Sequence, residues 1–211
     1  TLGNIFSFES RVQGARGVPD GWRQYKVAGG GMLLDWGVHL IDQILQMVKG
    51  KKLSSLYCRF DHITNYEVDD GFKLTIYFEG GKSAYIEVGT YNFIAMPRFY
   101  MQAKDGSAFI EDWQKKCKVA KLKAWCEKDV LPVQTAAGLT KTMAPRDEKT
   151  ITESFIPRPS SDVHDFYRNV CLAVDGKAEQ IVKHAQLMRV MKIMEAAFRS
   201  DELGMPVEIE D

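Results

Sequence analysis

The sequence predicts an α+β fold, a large open sheet that is predominantly antiparallel, with helices packed on one face. Three observations predict it. Through much of residues 56–110, apolar side chains recur at every second position, the period of a half-buried strand. Glu79-Gly80-Gly81-Lys82 and Lys104-Asp105-Gly106-Ser107 join alternating runs with hairpin-turn residues. Segments 32–48, 160–174 and 180–203 instead carry the helical period of about 3.6 residues.

Residues 4–12 alternate loosely around Ile5, Phe6, Phe8 and Val12 and read as a first strand. A loop from Gly14 to Gly21 follows, then Trp22-Arg23 and Gly29-Gly30-Gly31. Met32 to Val48 reads as a helix stopped by Gly50. Beyond it, Leu56, Cys58 and Phe60, then Phe72, Leu74, Ile76 and Phe78, then Ala84, Ile86 and Val88 alternate with more polar neighbours. An antiparallel meander with one apolar face and one polar, tyrosine-bearing face satisfies that pattern. Phe99, Met101 and Ala103, then Ala108 and Ile110, continue it. Residues 124–159, broken by Pro132, Gly138, Pro145, Pro157 and Pro159, read as a long excursion with one more strand near Thr150 to Ile156. Ser160, Ser161 and Asp162 offer an N-cap for a helix through Val174, ended by Asp175-Gly176. The last helix is expected from about Gln180 to Leu203, with Leu187, Val190, Met191, Met194 and Phe198 as its core stripe and Gly204 as its stop.

At 211 residues and 45% hydrophobic content the chain can bury a sizeable core, and it reads as a single domain. Its 28 basic and 28 acidic residues balance, which gives no electrostatic reason to expect nucleic acid or an anionic membrane as partner. The lysines from Lys115 to Lys128 are interleaved with Cys, Trp and Glu and read as a solvated strand or helix face. Cys58, Cys117, Cys126 and Cys171 form no C-x-x-C pair and no zinc-like spacing with histidine, so reduced thiols, a cytoplasmic location and no metal site are expected. No apolar run is long enough to span a bilayer, and no signal-peptide pattern is read at the start. The first residues already read as a strand with no initiator Met before them, so a fragment of something longer, or a trimmed chain, is expected.

The helix from Met32 carries the most chemical information. On a wheel of ~100° per residue, Leu33, Leu34, Val38, Leu40, Ile41, Ile44, Leu45, Met47 and Val48 cover well over half the circumference. The remaining stripe holds Asp35, His39, Asp42, Gln43 and Gln46, with no Lys, Arg or Glu before Lys49. Asp35 and His39 are four apart and can meet on one face. A carboxylate beside an imidazole orients the ring for giving and taking a proton near neutral pH. Gly37 is expected to leave room between them, and the three glycines to allow close approach at the helix N-terminus, where N–H groups are free. The same residues could equally form a buried hydrogen-bond network that only fixes packing. A metal-dependent hydrolase using Asp35, His39 and Asp42 is a third reading, with only three ligands on one helix and no second cluster.

The run Trp22-Arg23, Gly29-Gly30-Gly31 and Asp35-x-Gly37-x-His39-x-x-Asp42 resembles the signature of the glucose–fructose oxidoreductase/inositol dehydrogenase family, Gfo/Idh/MocA. Val68-Asp69-Asp70 through Gly81, Phe166, Glu195-Ala196-Ala197 and Gly204-Met205-Pro206-Val207 fit the same resemblance, which covers nearly the whole chain and is least typical over 112–155. The resemblance implies a C-terminal domain, like that of glyceraldehyde-3-phosphate dehydrogenase in fold, whose companion is an N-terminal Rossmann domain binding NAD or NADP. It implies His39 as proton donor and acceptor with Asp35 as its partner. It further implies that Trp22 and Arg23 border nicotinamide and substrate, with Asp42 also on the substrate side. The substrate implied is a sugar, polyol or related metabolite. The Rossmann fingerprint itself is missing from this chain: Gly29 to Gly31 lacks the G-x-G-x-x-G spacing, and no Glu-Lys-Pro occurs. The chain alone is therefore expected to be inactive, and a stand-alone binding or dimerisation module is the alternative.

His62, His164 and His184 have no clustered acid or nucleophile and read as structural. Lys73, Thr75, Tyr77, Tyr85 and Glu87 are expected on the outward sheet face, with Lys73 and Glu87 at its rim or paired with each other. Two tyrosines there, together with the resemblance, point to a homodimer or homotetramer built through that face.

Overall fold

The computed structural model describes residues 2–124, 131–142, 144–146 and 148–209. In chain order the strands are β1 (Ile5–Gln13), β2 (Leu53–Asp61), β3 (Gly71–Phe78), β4 (Lys82–Gly89), β5 (Phe99–Ala103), β6 (Gly106–Ile110), β7 (Cys117–Leu122), β8 (Val133–Thr135), β9 (Gly138–Thr140), β10 (Ile151–Ile156) and β11 (Val207–Glu208). The helices are α1 (Val38–Met47), α2 (His164–Val174) and α3 (His184–Leu203). Among the described residues nine strands form one sheet in the order β10-β7-β6-β5-β1-β4-β3-β2-β11, and β8 and β9 form a separate hairpin.

The sheet is antiparallel except where β1 runs parallel to β4. The expected meander is therefore interrupted: β4 and β5 follow each other in sequence, yet β1 lies between them. After β1 the chain crosses over through α1 and returns by β2 and β3, so β4 arrives beside β1 pointing the same way. The link out of β4 is then tied to the end of β1, with Gly14 N–H donating to Gly89 O (2.8 Å) and Asn92 N–H to Gly14 O (2.7 Å).

Alternation along the strands sets the layers. Phe72, Leu74, Ile76 and Phe78 are buried on the helix side, and so are Ala84, Ile86 and Val88. Lys73, Thr75, Tyr77, Tyr85 and Glu87 take the opposite face, as the period of two requires. Lys73 and Glu87 are cross-strand neighbours but do not pair with each other. Lys73 binds Asp61 at 2.5 Å, while Glu87 accepts from Gln13 at 2.9 Å and meets Arg11 at 3.4 Å.

Helices α1 and α3 cover β1, β4 and β2. Leu40, Ile41, Ile44 and Ile193 are fully buried in that layer, and each such side chain contributes about 1.5–3 kcal/mol over an exposed one. Met47, expected in the core, is exposed at the end of α1. No residue of β5, β6, β7 or β10 is buried. The lysine-rich run is a strand as far as Leu122, with Lys118 paired to Glu153 at 2.7 Å; Cys126 and Lys128 lie outside the described residues.

The two C-terminal helices differ from expectation in detail. The cap position of α2 is Val163 rather than Ser160, Ser161 or Asp162, although Asp162 just before it accepts the His164 N–H (2.9 Å), and α2 buries none of its residues. The buried stripe of α3 is Val190, Ile193, Met194, Ala197 and Ser200, whereas Leu187 and Met191 are exposed and Phe198 packs edge-on against Phe60. The helix also begins at His184 rather than near Gln180.

Candidate active site

The glycine triplet brings two loops against the start of the α1 helix. A Cβ on Gly30 would lie 2.4 Å from the Arg23 carbonyl oxygen, so only glycine lets the Trp22-Arg23 backbone come this close. Gly31 has φ +101°, and a Cβ there would lie 2.2 Å from the Asp69 carboxylate. Gly30 N–H donates to Tyr25 O (3.0 Å) and Gly31 N–H to Arg23 O (2.9 Å).

Asp69 occupies the helix N-terminus. Its carboxylate accepts the Leu33 N–H (2.9 Å), and its carbonyl oxygen accepts the Met32 N–H (3.2 Å). Burial pushes the Asp69 carboxyl up to about 6, against the opposing pull of these N–H groups. The N–H groups expected to be free are thus held by the protein itself. They do not fit dinucleotide phosphates, and the described residues offer no phosphate-binding turn here.

Residues Leu33–Gly37 form a π turn before α1 continues as an α-helix. Such turns are frequent at functional sites. Gly37 does not leave space between Asp35 and His39 as expected. A Cβ there would lie 2.9 Å from Leu33 Cδ1 and 3.1 Å from Phe72 Cζ, so its bareness admits a core ring.

On the polar side of this helix lies an open cavity of about 480 Å³ lined by Pro19, Arg23, Asp35, Trp36 and His39. Arg23 Nε donates to Asp35 Oδ2 at 2.7 Å, with side chains 33% and 15% exposed. Asp35 raises the Arg23 pKa further, and the guanidinium lies 4.6 Å over the Trp22 ring. The direct Asp35–His39 bond suggested by their spacing is not formed, because a full guanidinium charge outcompetes an imidazole for the carboxylate. His39 is exposed to the cavity, and its ring meets Trp36 edge-on at 6.3 Å.

Asp42 does not line this cavity; its carboxylate accepts from Gln46 at 2.6 Å further along α1. Asp35, His39 and Asp42 therefore do not converge on one point. The remaining histidines sit in local structure: His62 Nδ1 lies 3.0 Å from Asn65 O, His164 pairs with Asp162 at 2.7 Å, and His184 opens α3.

Sequence reasoning missed three residues here. Asp69 holds the helix, but its sequence position gives no sign of the contact. Trp113 lies 6.1 Å from Trp36, ring to ring. Arg98 lies 4.6 Å from the Trp113 ring. Both enter from loops flanking β5 and β6, and no local pattern places them beside α1.

The arrangement can bind a hydroxyl group and exchange its proton. An imidazole faces solvent beside a guanidinium whose orientation a carboxylate fixes, on a helix that the core holds still.

Fold and cleft together define a C-terminal domain of the GFO/IDH/MocA type, and the model of that domain matches residues 1–109. The chain belongs to the GFO/IDH/MocA family. It is similar to an NAD-binding protein from Listeria innocua, at 39% identity and a TM-score of 0.91, over 98% of this chain and 60% of that one. An oxidoreductase from Bacillus cereus matches over 100% of this chain and 61% of its own, at 15% identity and a TM-score of 0.70. A protein named as an NADPH-dependent oxidoreductase from Desulfitobacterium hafniense matches at 16% identity and a TM-score of 0.71, over 98% of this chain and 57% of its own. The last two likenesses show the fold alone. Among curated proteins none matches. The chain thus spans less than two thirds of the length of these solved structures. Among the described residues no helix is long and apolar enough to cross a membrane.

Proposed function

We propose that this chain is the substrate-binding and proton-transferring half of an NAD(P)-dependent oxidoreductase acting on the CH–OH group of a sugar, polyol or related metabolite. One observation carries the reading: His39 faces an open cavity beside the Arg23–Asp35 pair, on a helix whose other side is sealed in the core. In this reading His39 accepts the hydroxyl proton during oxidation and returns it during reduction. Arg23, held by Asp35, donates to the same oxygen and stabilises negative charge as the proton leaves. Asp35 acts through Arg23, and Asp42 stands outside the cleft. A bound nicotinamide supplies the hydride acceptor or donor, and Trp22 and Arg23 form the wall it borders.

The relatives support a second half that holds the dinucleotide: one is named NAD-binding, another NADPH-dependent, and this chain spans about three fifths of each. Helix α2 supports it as well, because its apolar Phe166, Tyr167, Val170 and Val174 are exposed in this chain and suit a covering domain. The test is turnover. The full-length protein reduces NAD or NADP with a member of a panel of sugars and cyclic or open polyols, followed by nicotinamide absorbance, while this chain alone reduces neither. A full-length protein inactive on every member, or a chain that turns over alone, contradicts the reading.

Assembly through the sheet face belongs to the same proposal. Arg11, Glu9, Glu87 and Tyr85 form a half-buried charged network there, with Tyr77 exposed beside it. Sedimentation velocity is expected to show a homodimer or homotetramer that Tyr77→Lys with Tyr85→Lys dissociates. A monomer at all concentrations opposes it.

A further inference from the structure

The nine-stranded sheet ends differently on its two sides. One edge is β11, a strand of two residues, too short to template another chain. The other edge is β10, six residues long, with Thr152 to Ile156 exposed and Phe155 and Ile156 as much as 62% and 55% so. Among the described residues β10 pairs with β7 alone, so its second side has no strand partner. Edges of this length are commonly protected by proline, by outward lysines or by a bulge. The strand Ile151-Thr152-Glu153-Ser154-Phe155-Ile156 contains no proline or lysine, and its register with β7 runs without a shift. Its one charge, Glu153, is already paired with Lys118 at 2.7 Å.

The ladder fixes which backbone groups face outward. Lys123 N–H donates to Thr150 O (2.8 Å), and these two residues continue the register of the β10–β7 pairs. In a central antiparallel strand, residues that bond one neighbour alternate with residues that bond the other. Thr152, Ser154 and Ile156 therefore direct their N–H and C=O groups to β7, while Ile151, Glu153 and Phe155 direct theirs to the open side.

We propose that β10 pairs antiparallel with β10 of a second copy of this chain, across a twofold axis at Glu153, which joins the two nine-stranded sheets into one. The strand is complementary to itself in that register, as a twofold interface requires. Ile151 of each copy stands opposite Phe155 of the other, an aliphatic–aromatic pair made twice. All three outward residues then exchange both backbone bonds. A shift of two residues in either direction places Pro157, which has no N–H, or Lys149, which sits in a 3₁₀ turn, opposite an outward residue of β10. The two Glu153 carboxylates oppose each other, which is unfavourable alone, and the Lys118 held beside each of them offsets it. This interface does not depend on the function proposed above. It lies five strands away from β4, which carries Tyr85, so together with contact through the middle of the sheet face it builds a tetramer.

The test uses the full-length protein carrying Tyr77→Lys and Tyr85→Lys, which removes the sheet-face contact. Sedimentation velocity on this parent shows a dimer. Glu153→Pro deletes an outward N–H and leaves the bonds to β7 in place, so it weakens the dimer by at least about tenfold with circular dichroism unchanged. Phe155→Lys keeps every backbone group and weakens the dimer in the same direction. Disulfide formation reads the register, in a background with Cys117→Ser, Cys126→Ser and Cys171→Ser. Thr152 of one copy and Ser154 of the other stand opposite as a non-hydrogen-bonded pair, with Cα atoms about 4.5 Å apart. A mixture of Thr152→Cys and Ser154→Cys proteins therefore cross-links on oxidation, and neither variant cross-links by itself. A monomeric parent, a dimer that withstands both Glu153→Pro and Phe155→Lys, or cross-linking of either cysteine variant alone overturns the pairing.

Discussion

Helices α1 and α2 are similar in length and both are amphipathic, yet α1 is sealed into the core and α2 buries no residue at all. Leu40, Ile41, Ile44 and Leu45 of α1 meet the sheet and α3, whereas Phe166, Val170 and Val174 of α2 project outward. A helical period in the sequence reveals an apolar stripe but not its cover, because cover is a property of distant segments. The contrast also separates two kinds of surface. The polar stripe of α1 is rigid because the rest of that helix is fixed, so it can hold a catalytic geometry. The apolar stripe of α2 is left uncovered by the described residues, and the function proposed above gives it a second domain as cover.

The largest expected effect that sharpens this contrast is on stability. Ile44→Ala in this chain should cost about 2–5 kcal/mol, the range for emptying a filled core site. Urea unfolding measures it, and a loss as small as that of a surface substitution would break the account of α1.

The next effect concerns how α1 is held at its start. The folded Asp69 carboxyl titrates at about 6 against an ordinary 3.8, so the fold favours its protonated form. Its contribution to stability is full below the ordinary value and is lost as pH rises through about 6, a swing of roughly 3 kcal/mol at most. Asp69→Asn keeps an oxygen to accept the Leu33 N–H and should flatten stability between about pH 4 and pH 7. Urea midpoints across that range decide it, and an unchanged pH profile in the variant argues against a buried Asp69.

The smallest effect falls on the other helix. Val170→Ala in this chain should change stability by no more than ~0.5 kcal/mol, because the side chain buries little here. In the full-length protein the same substitution should cost distinctly more. Equal small effects in both would mean that nothing covers α2.

Much of this was legible in the sequence because it is local. The period-two runs around Phe72 to Phe78 and Ala84 to Val88 gave strands, and their burial follows the alternation residue by residue. The stripe of Asp35 and His39 on an apolar helix, with Trp22-Arg23 upstream, pointed to one cleft, and the structure gathers Arg23, Asp35 and His39 there. What was not legible is non-local. Insertion of β1 between β4 and β5 depends on a crossover, which no strand pattern records. Leu187 keeps the helical period, yet α3 is buried only from Val190 onward, so its first turn lies beyond the sheet's cover, while Met191 falls outside the buried stripe of Val190, Ile193, Met194 and Ala197. Trp113 and Arg98 reach α1 from distant loops, and Asp35 chose Arg23 over His39 by competition between charges. Neither leaves a spacing to read.

The central claim is that His39, carried on the sealed helix, moves the substrate proton. The measurement that tests it most directly is kcat of His39→Ala in the full-length protein on its best CH–OH substrate, with cofactor affinity measured in parallel. The account predicts a fall of ~10²–10⁴ in kcat with nicotinamide binding unchanged. Turnover within a few-fold of wild type would contradict it.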